Sequence, residues 1–169
     1  KELQKKVKAS IERPKPVEGL STARETRIFY YDPTYVVSED LKDHQGRVIH
    51  SKGTRLNPLE TVSLGYDLLF FDGDDEDQKV WTFDQIKKTE ISDQNGKKFK
   101  IILVKGAPLA LSEELGVPVY FDQLGHLTKK LGIKHTPAVV TQEGLRLRIE
   151  QQSHFKQTPQ LKERVHETL

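Results

Sequence analysis

The stretch Gly132-Ile133-Lys134-His135-Thr136-Pro137-Ala138-Val139-Val140 decides how this chain is read. Gly132 stops a helical pattern running from Leu127 to Leu131, the polar residues Lys134, His135 and Thr136 come after Ile133, and an X-Pro step leads straight into an apolar run. Proline is tolerated at the head of a strand because the ladder need not use its missing donor. Two geometries fit the step. A trans bond is the ordinary state of X-Pro pairs; a cis bond turns the chain sharply and presents the preceding backbone to a ligand.

Downstream, Ala138–Val140 and Leu145–Ile149 read as strands joined by Gln142-Glu143-Gly144. The second alternates apolar and basic residues, which sets one face on a core and one in water. Thr158-Pro159 is a helix start, and Leu161, Val165 and Leu169 repeat every four residues behind it. Upstream lie a brief strand at Val119–Phe121, a helix from Pro108 to Leu115 ended by Gly116, and a buried strand from Phe99 to Val104. Asn95-Gly96 is a turn. A helix is predicted over Gln78–Lys88, with Val80, Trp81, Phe83 and Ile86 as core contacts, and Leu68–Phe71 is apolar enough for a strand covered on both faces. Strand and helix alternate and then give way to a hairpin, so the class is α/β with a mixed sheet flanked by helices.

The N-terminal third differs. Leu3, Val7 and Ile11 form one line on a short lysine-rich helix that Pro14 and Pro16 end. From Ile28 to Leu64, short β-prone runs alternate with turns at Asp43-His44-Gln45-Gly46 and Lys52-Gly53, a small β-rich module too short to be stable alone. The expected division is a helix and linker at 1–26, the β-hairpin module at 27–66, an α/β domain at 67–150 and a C-terminal tail or helix at 151–169.

Composition narrows the chemistry. The 169 residues are 35% hydrophobic and 31% charged, which predicts a lean core with polar segments left over. Twenty-seven basic against 25 acidic residues leave a net charge of +2, too small to make nucleic acid a default partner. No apolar run approaches the ~20 residues that span a bilayer. There is no cysteine, which removes disulfides, thiolate metal sites and thiol catalysis together. There is also no methionine, so Lys1 is read as the start of a mature or trimmed fragment, with any signal peptide outside this sequence.

Each remaining motif has a bland explanation. The acidic run Asp72–Asp77 fails the calcium-loop pattern, since counting from Asp72 puts Asp77 where glycine belongs and Phe83 where the final carboxylate belongs. Acidic side chains at a helix N-terminus account for it. The six histidines show no zinc spacing, and neither a Gly-x-Ser-x-Gly elbow nor a phosphate loop is present. Two functional alternatives stay open on residues alone: an enzyme using the acidic cluster near His135, and a nucleic-acid-binding module.

Val119-Tyr120-Phe121-Asp122, Gly125, Leu127, Leu131-Gly132-Ile133, Thr136-Pro137-Ala138 and Gly144 resemble the second half of a thioredoxin-like fold, with Thr-Pro-Ala similar to the cis-proline loop of periplasmic disulfide isomerases. That similarity favours the cis form of Thr136–Pro137. It also implies that Leu68–Phe71 leads into what would be the redox helix, where Asp72–Asp77 replaces a Cys-x-x-Cys pair.

Further blocks, Glu12-Arg13-Pro14-Lys15-Pro16-Val17, Phe29-Tyr30-Tyr31-Asp32-Pro33-Thr34, Gly53-Thr54-Arg55-Leu56-Asn57-Pro58-Leu59, Leu69-Phe70-Phe71-Asp72-Gly73-Asp74-Asp75, Ile102-Leu103-Val104-Lys105-Gly106 and Val119-Tyr120-Phe121-Asp122-Gln123, resemble the TraW family. The resemblance implies a periplasmic protein of F-type conjugation systems, which are type IV secretion machines. It would act in pilus assembly with TrbC, a second thioredoxin-like protein, and with other conjugation-machinery proteins. It implies no enzymatic activity and no catalytic residue; from the residues themselves no metal and no cofactor is expected. A redox-silent thioredoxin-like domain would then present a protein-binding surface. The first candidate is the former substrate groove, Asp72, Gly73 and Asp74 beside His135, Thr136 and Pro137. The second is the aromatic run Phe29, Tyr30 and Tyr31.

Overall fold

The computed structural model describes residues 1–92 and 98–153, with the side chains of 90–92 left aside. The turn expected at Asn95-Gly96 and the helix expected after Thr158 lie outside the described residues. In chain order the elements are α1 (Glu2–Glu12), β1 (Ser21–Thr22), β2 (Arg27–Tyr31), β3 (Tyr35–Val36), β4 (Leu41–Lys42), β5 (Val48–His50), β6 (Arg55–Leu56), β7 (Tyr66–Asp72), α2 (Glu76–Ser92), β8 (Lys98–Lys105), α3 (Pro108–Leu115), β9 (Val119–Phe121), α4 (His126–Leu131), β10 (His135–Thr136), β11 (Ala138–Glu143) and β12 (Arg146–Gln151).

The principal sheet runs β2-β12-β11-β7-β8-β9. Its β7, β8 and β9 are parallel, while β11 is antiparallel to both β7 and β12, and β12 to β2. The sheet is mixed and carries helices on both faces, as expected. Strand pleating sorts the core into two layers. Phe70, Ile102, Val104, Val140 and Ile149 face α4 together with Leu131 and Ile133. Leu69, Phe71, Ile101 and Leu103 face Ile86 of α2 and Leu111 and Leu115 of α3. Leu69, Phe70 and Phe71 are all fully buried, so the run expected to be covered on both faces is.

Helix boundaries follow local chemistry. Pro108 opens α3 at its first turn, and Gly116 closes it in the left-handed conformation at φ 71°. The buried Asp122 carboxylate accepts from the amides of Leu127 and Thr128 and from the Thr128 hydroxyl, capping the head of α4.

Two expectations need correction. Val80 and Phe83 are exposed, because the buried stripe of α2 is Gln78-Thr82-Ile86, two polar residues and one apolar. Phe83 instead lies under the Lys87 ammonium, 4.5 Å from the ring centroid. The β11–β12 turn is Gly144-Leu145 rather than Gln142-Glu143-Gly144, since Glu143 already pairs with Arg146 and Gly144 takes the positive φ. Leu3, Val7 and Ile11 share a line on α1 as predicted, and α1 buries no residue.

The segment 27–66 is distributed between two places. β2 is an outer strand of the principal sheet, where Phe29 and Tyr31 pack on its core. Only β3 with β6 and β4 with β5 form separate two-stranded sheets. They are tied back by Asn57 Nδ2 donating to the Leu145 carbonyl at 2.8 Å and by the Leu64 amide donating to Gln142 Oε1 at 2.7 Å.

Candidate functional site

At the carboxyl end of β7 the chain bulges between Phe71 and Asp72 and turns into α2. Gly73 is required there, since an added Cβ would collide with the Leu111 side chain and lie 2.7 Å from Leu103 Cδ1 and 3.1 Å from the Lys105 carbonyl. Its amide donates to that carbonyl at 2.8 Å. Two of the acidic side chains are engaged by backbone. Asp72 Oδ1 accepts from the Asp74 amide, and Asp75 Oδ1 accepts from the amides of Asp77 and Gln78, which makes Asp75 the cap of α2. Burial pushes the Asp72 carboxyl above its ordinary pKa, against the lowering pull of the Asp74 amide and Lys105. Fully buried Gln78 knits the turn together, accepting from the Asp72 amide at 2.9 Å and donating to Asp75 Oδ2 at 3.2 Å.

Beside this turn runs the proline loop. The Thr136–Pro137 bond is cis, the form expected from the Thr-Pro-Ala resemblance. Thr136 and Pro137 are buried and His135 half-buried. Buried Gln151 holds one side of the loop, its Oε1 accepting from the amides of Lys134 and His135 at 2.9 and 3.0 Å. The Gln152 amide donates to the Pro137 carbonyl at 2.8 Å.

The two loops do not touch through their own carboxylates and imidazole. A segment from the N-terminal part of the chain lies between them. Strand β1 pairs parallel with β10, Ser21 opposite His135 and Thr22 opposite Thr136. The Ser21 amide donates to the Lys134 carbonyl at 3.1 Å and the Ala23 amide to the Thr136 carbonyl at 2.9 Å. Ser21 Oγ meets His135 Nδ1 at 2.8 Å. Thr22 Oγ1 donates to Asp75 Oδ2 at 3.4 Å and accepts from Gln78 Nε2 at 3.3 Å. Further back, Arg13 Nη1 donates to both oxygens of Asp74 at 2.9 Å, and the Val17 amide donates to the Val104 carbonyl at 2.9 Å. Residues 13–23 therefore form a strap across this end of the sheet.

The aromatic candidates do not make one patch. Phe29 and Tyr31 point into the core layer, and only Tyr30 is exposed, its ring 3.7 Å from the Arg146 guanidinium carbon. Arg148 is paired with Glu150 at 2.9 Å. Among the described residues no group of three or more metal-binding side chains converges. No helix among them is long and apolar enough to cross a membrane.

Residue reading missed Arg13, Ser21, Thr22, Ala23, Gln78 and Gln151. The only forewarning was Pro14 and Pro16, which dictate an extended exit from α1; nothing in the local sequence says where that extended chain lands.

No family model and no solved structure matches the chain. Protein TraW of Escherichia coli (strain K12) is 36% identical over 129 residues, covering 76% of this chain. This chain belongs to the TraW family. It spans 58% of the length of that TraW relative, so the match concerns part of the longer protein.

Proposed function

We propose that this TraW-family chain is a non-enzymatic, periplasmic protein-binding scaffold in assembly of an F-type conjugative pilus, a type IV secretion apparatus, acting with a TrbC-type partner. The single observation that carries the reading is the 36% identity to TraW over 76% of the chain. The architecture supports it. The strand order β12-β11-β7-β8, the helices between strands and the cis-proline loop beside the head of α2 fit a thioredoxin-like domain, and the absence of cysteine leaves that domain without a nucleophile for disulfide exchange. A fold kept without its chemistry is put to use as a surface.

The rivals lack an equivalent observation. An enzyme built on the acidic cluster and His135 needs those groups within reach of one another, and His135 Nδ1 meets Ser21 instead. A nucleic-acid module needs a basic stripe, and Arg146 and Arg148 are engaged with Tyr30 and Glu150.

The test is binding to the TrbC protein of the same conjugation system, by co-purification and then calorimetry with the purified pair. A saturable complex is expected. No complex at either stage would remove the scaffold reading.

A further inference from the structure

The strap has the contacts of a bound ligand. It lies in extended conformation along the rim of the proline loop and continues that loop as a strand. Its amides at Ser21 and Ala23 satisfy the carbonyls of Lys134 and Thr136, the loop's outward-facing acceptors. Three side-chain subsites accompany the ladder. Asp74 holds a cation, Arg13. Asp75 and Gln78 hold a hydroxyl, Thr22. A closed position holds the small side chain of Ala23, which is 1% exposed.

The segment is anchored unevenly. Pro14 is buried, and Val17 and Leu20 pack on the core layer. Beyond Leu20 it is held by a two-residue strand, the Ser21 and Thr22 side-chain hydrogen bonds and buried Ala23, and residues 24–28 are exposed. A parallel pairing of two residues is a weak fastening.

We infer that residues 21–23 are a resident, exchangeable strand on a peptide-accepting edge formed by His135–Thr136 and the head of α2. The ligand this edge takes is an extended protein segment with a small residue and a hydroxyl residue just before it, matching Ala23 and Thr22. Recognition is by strand addition. The inference rests on the protein-binding reading above and specifies where and how the partner binds. An incoming segment competes with a strand already tethered in place, at an effective concentration on the order of millimolar. Release of Ser21–Ala23, with Val17 and Leu20 left seated, opens the edge.

The natural chain has no cysteine, so the double variant Ser21→Cys, His135→Cys holds a single thiol pair at two register partners. Oxidation locks the strand and reduction frees it, in one protein. The probes are a fluorescein-labelled peptide of residues 21–27 and the TrbC protein. The reduced form is expected to bind the peptide saturably and the oxidised form at least about tenfold more weakly, since only the first allows exchange with the tethered strand. Equal affinity in both states, or no peptide binding by the reduced form, overturns the inference. Peptide discrimination without TrbC binding keeps the edge and removes the pilus-scaffold reading; TrbC binding that ignores the redox state, with a flat peptide result, does the reverse. Hydrogen exchange on the unaltered chain covers a variant that misfolds. The Ala23 amide must exchange faster than those of Ile102 and Leu103, and equal protection overturns the inference.

Discussion

The β4–β5 hairpin and the β7–β8 pair are both two neighbouring strands, yet they are held by opposite means. In β7–β8, Leu69, Phe70, Phe71, Ile101, Ile102 and Leu103 are buried on both faces. In the hairpin, Leu41, Val48 and Ile49 are exposed, and the structure comes from the turn. Asp43 Oδ1 accepts from the amides of Gln45 and Arg47, and its Oδ2 pairs with the Arg47 guanidinium at 2.8 Å. The carboxylates report the same contrast. Burial pushes Asp72 up; the Arg47 amide, before any other cause, holds Asp43 below the ordinary range. One region is stabilised by removal of water, the other by local geometry that leaves side chains in water.

The largest effect that tests this contrast is Phe70→Ala. Truncating a fully buried aromatic costs about 3–5 kcal/mol, so urea or thermal melting should show a severely destabilised or unfolded chain. Retention of the native melting point would mean that the sheet interior is not close-packed. Next is Gly73→Ala. The new methyl collides with Leu111 and Leu103, and overpacking of that kind costs about 1–3 kcal/mol. An unchanged midpoint would show that the β7–α2 turn has room the structure denies it.

Acid titration separates the regions with smaller amplitude. Asp43 has a folded pKa below its unfolded value, so its stabilisation is present above the ordinary Asp range and is lost as pH falls through the folded pKa. Asp72 has the opposite sign. Its penalty is absent below the ordinary value and grows as pH rises through the raised folded pKa. Carboxyl NMR titration should therefore find Asp43 titrating below Asp72, and Asp72→Asn should raise the melting point slightly at pH 7 and leave it unchanged at pH 3. A reversed order of midpoints would break the comparison. The smallest effect is Ile49→Ser, an exposed hairpin position where a change within about 0.5 kcal/mol is expected by chemical denaturation.

The same contrast explains what could be read from sequence. α3 was legible because Pro108 and Gly116 act through their own backbone, and β7 and β8 because Leu68–Phe71 and Ile101–Val104 are apolar without interruption. Val80 and Phe83 misled because periodicity counts apolar residues, whereas α2 turns Gln78 and Thr82 inward, one of them to serve the acidic turn. Of the candidate site, Asp72–Asp74 and His135–Pro137 were legible as loops beside a helix head and a strand start. The strap was not. Ser21 meets His135 across 114 positions, and no local preference of Ser-Thr-Ala encodes that landing place.

The strap also sets how the molecule bears load. Tension drawn through α1 reaches Arg13 and its hold on Asp74 first, then the Val17 amide, then Ser21, and only then Ala23. These fastenings stand in series along the chain, so they yield one after another rather than sharing the force. A pull at that end would peel the segment off in steps, the principal sheet meeting it at Val104 before the proline loop does.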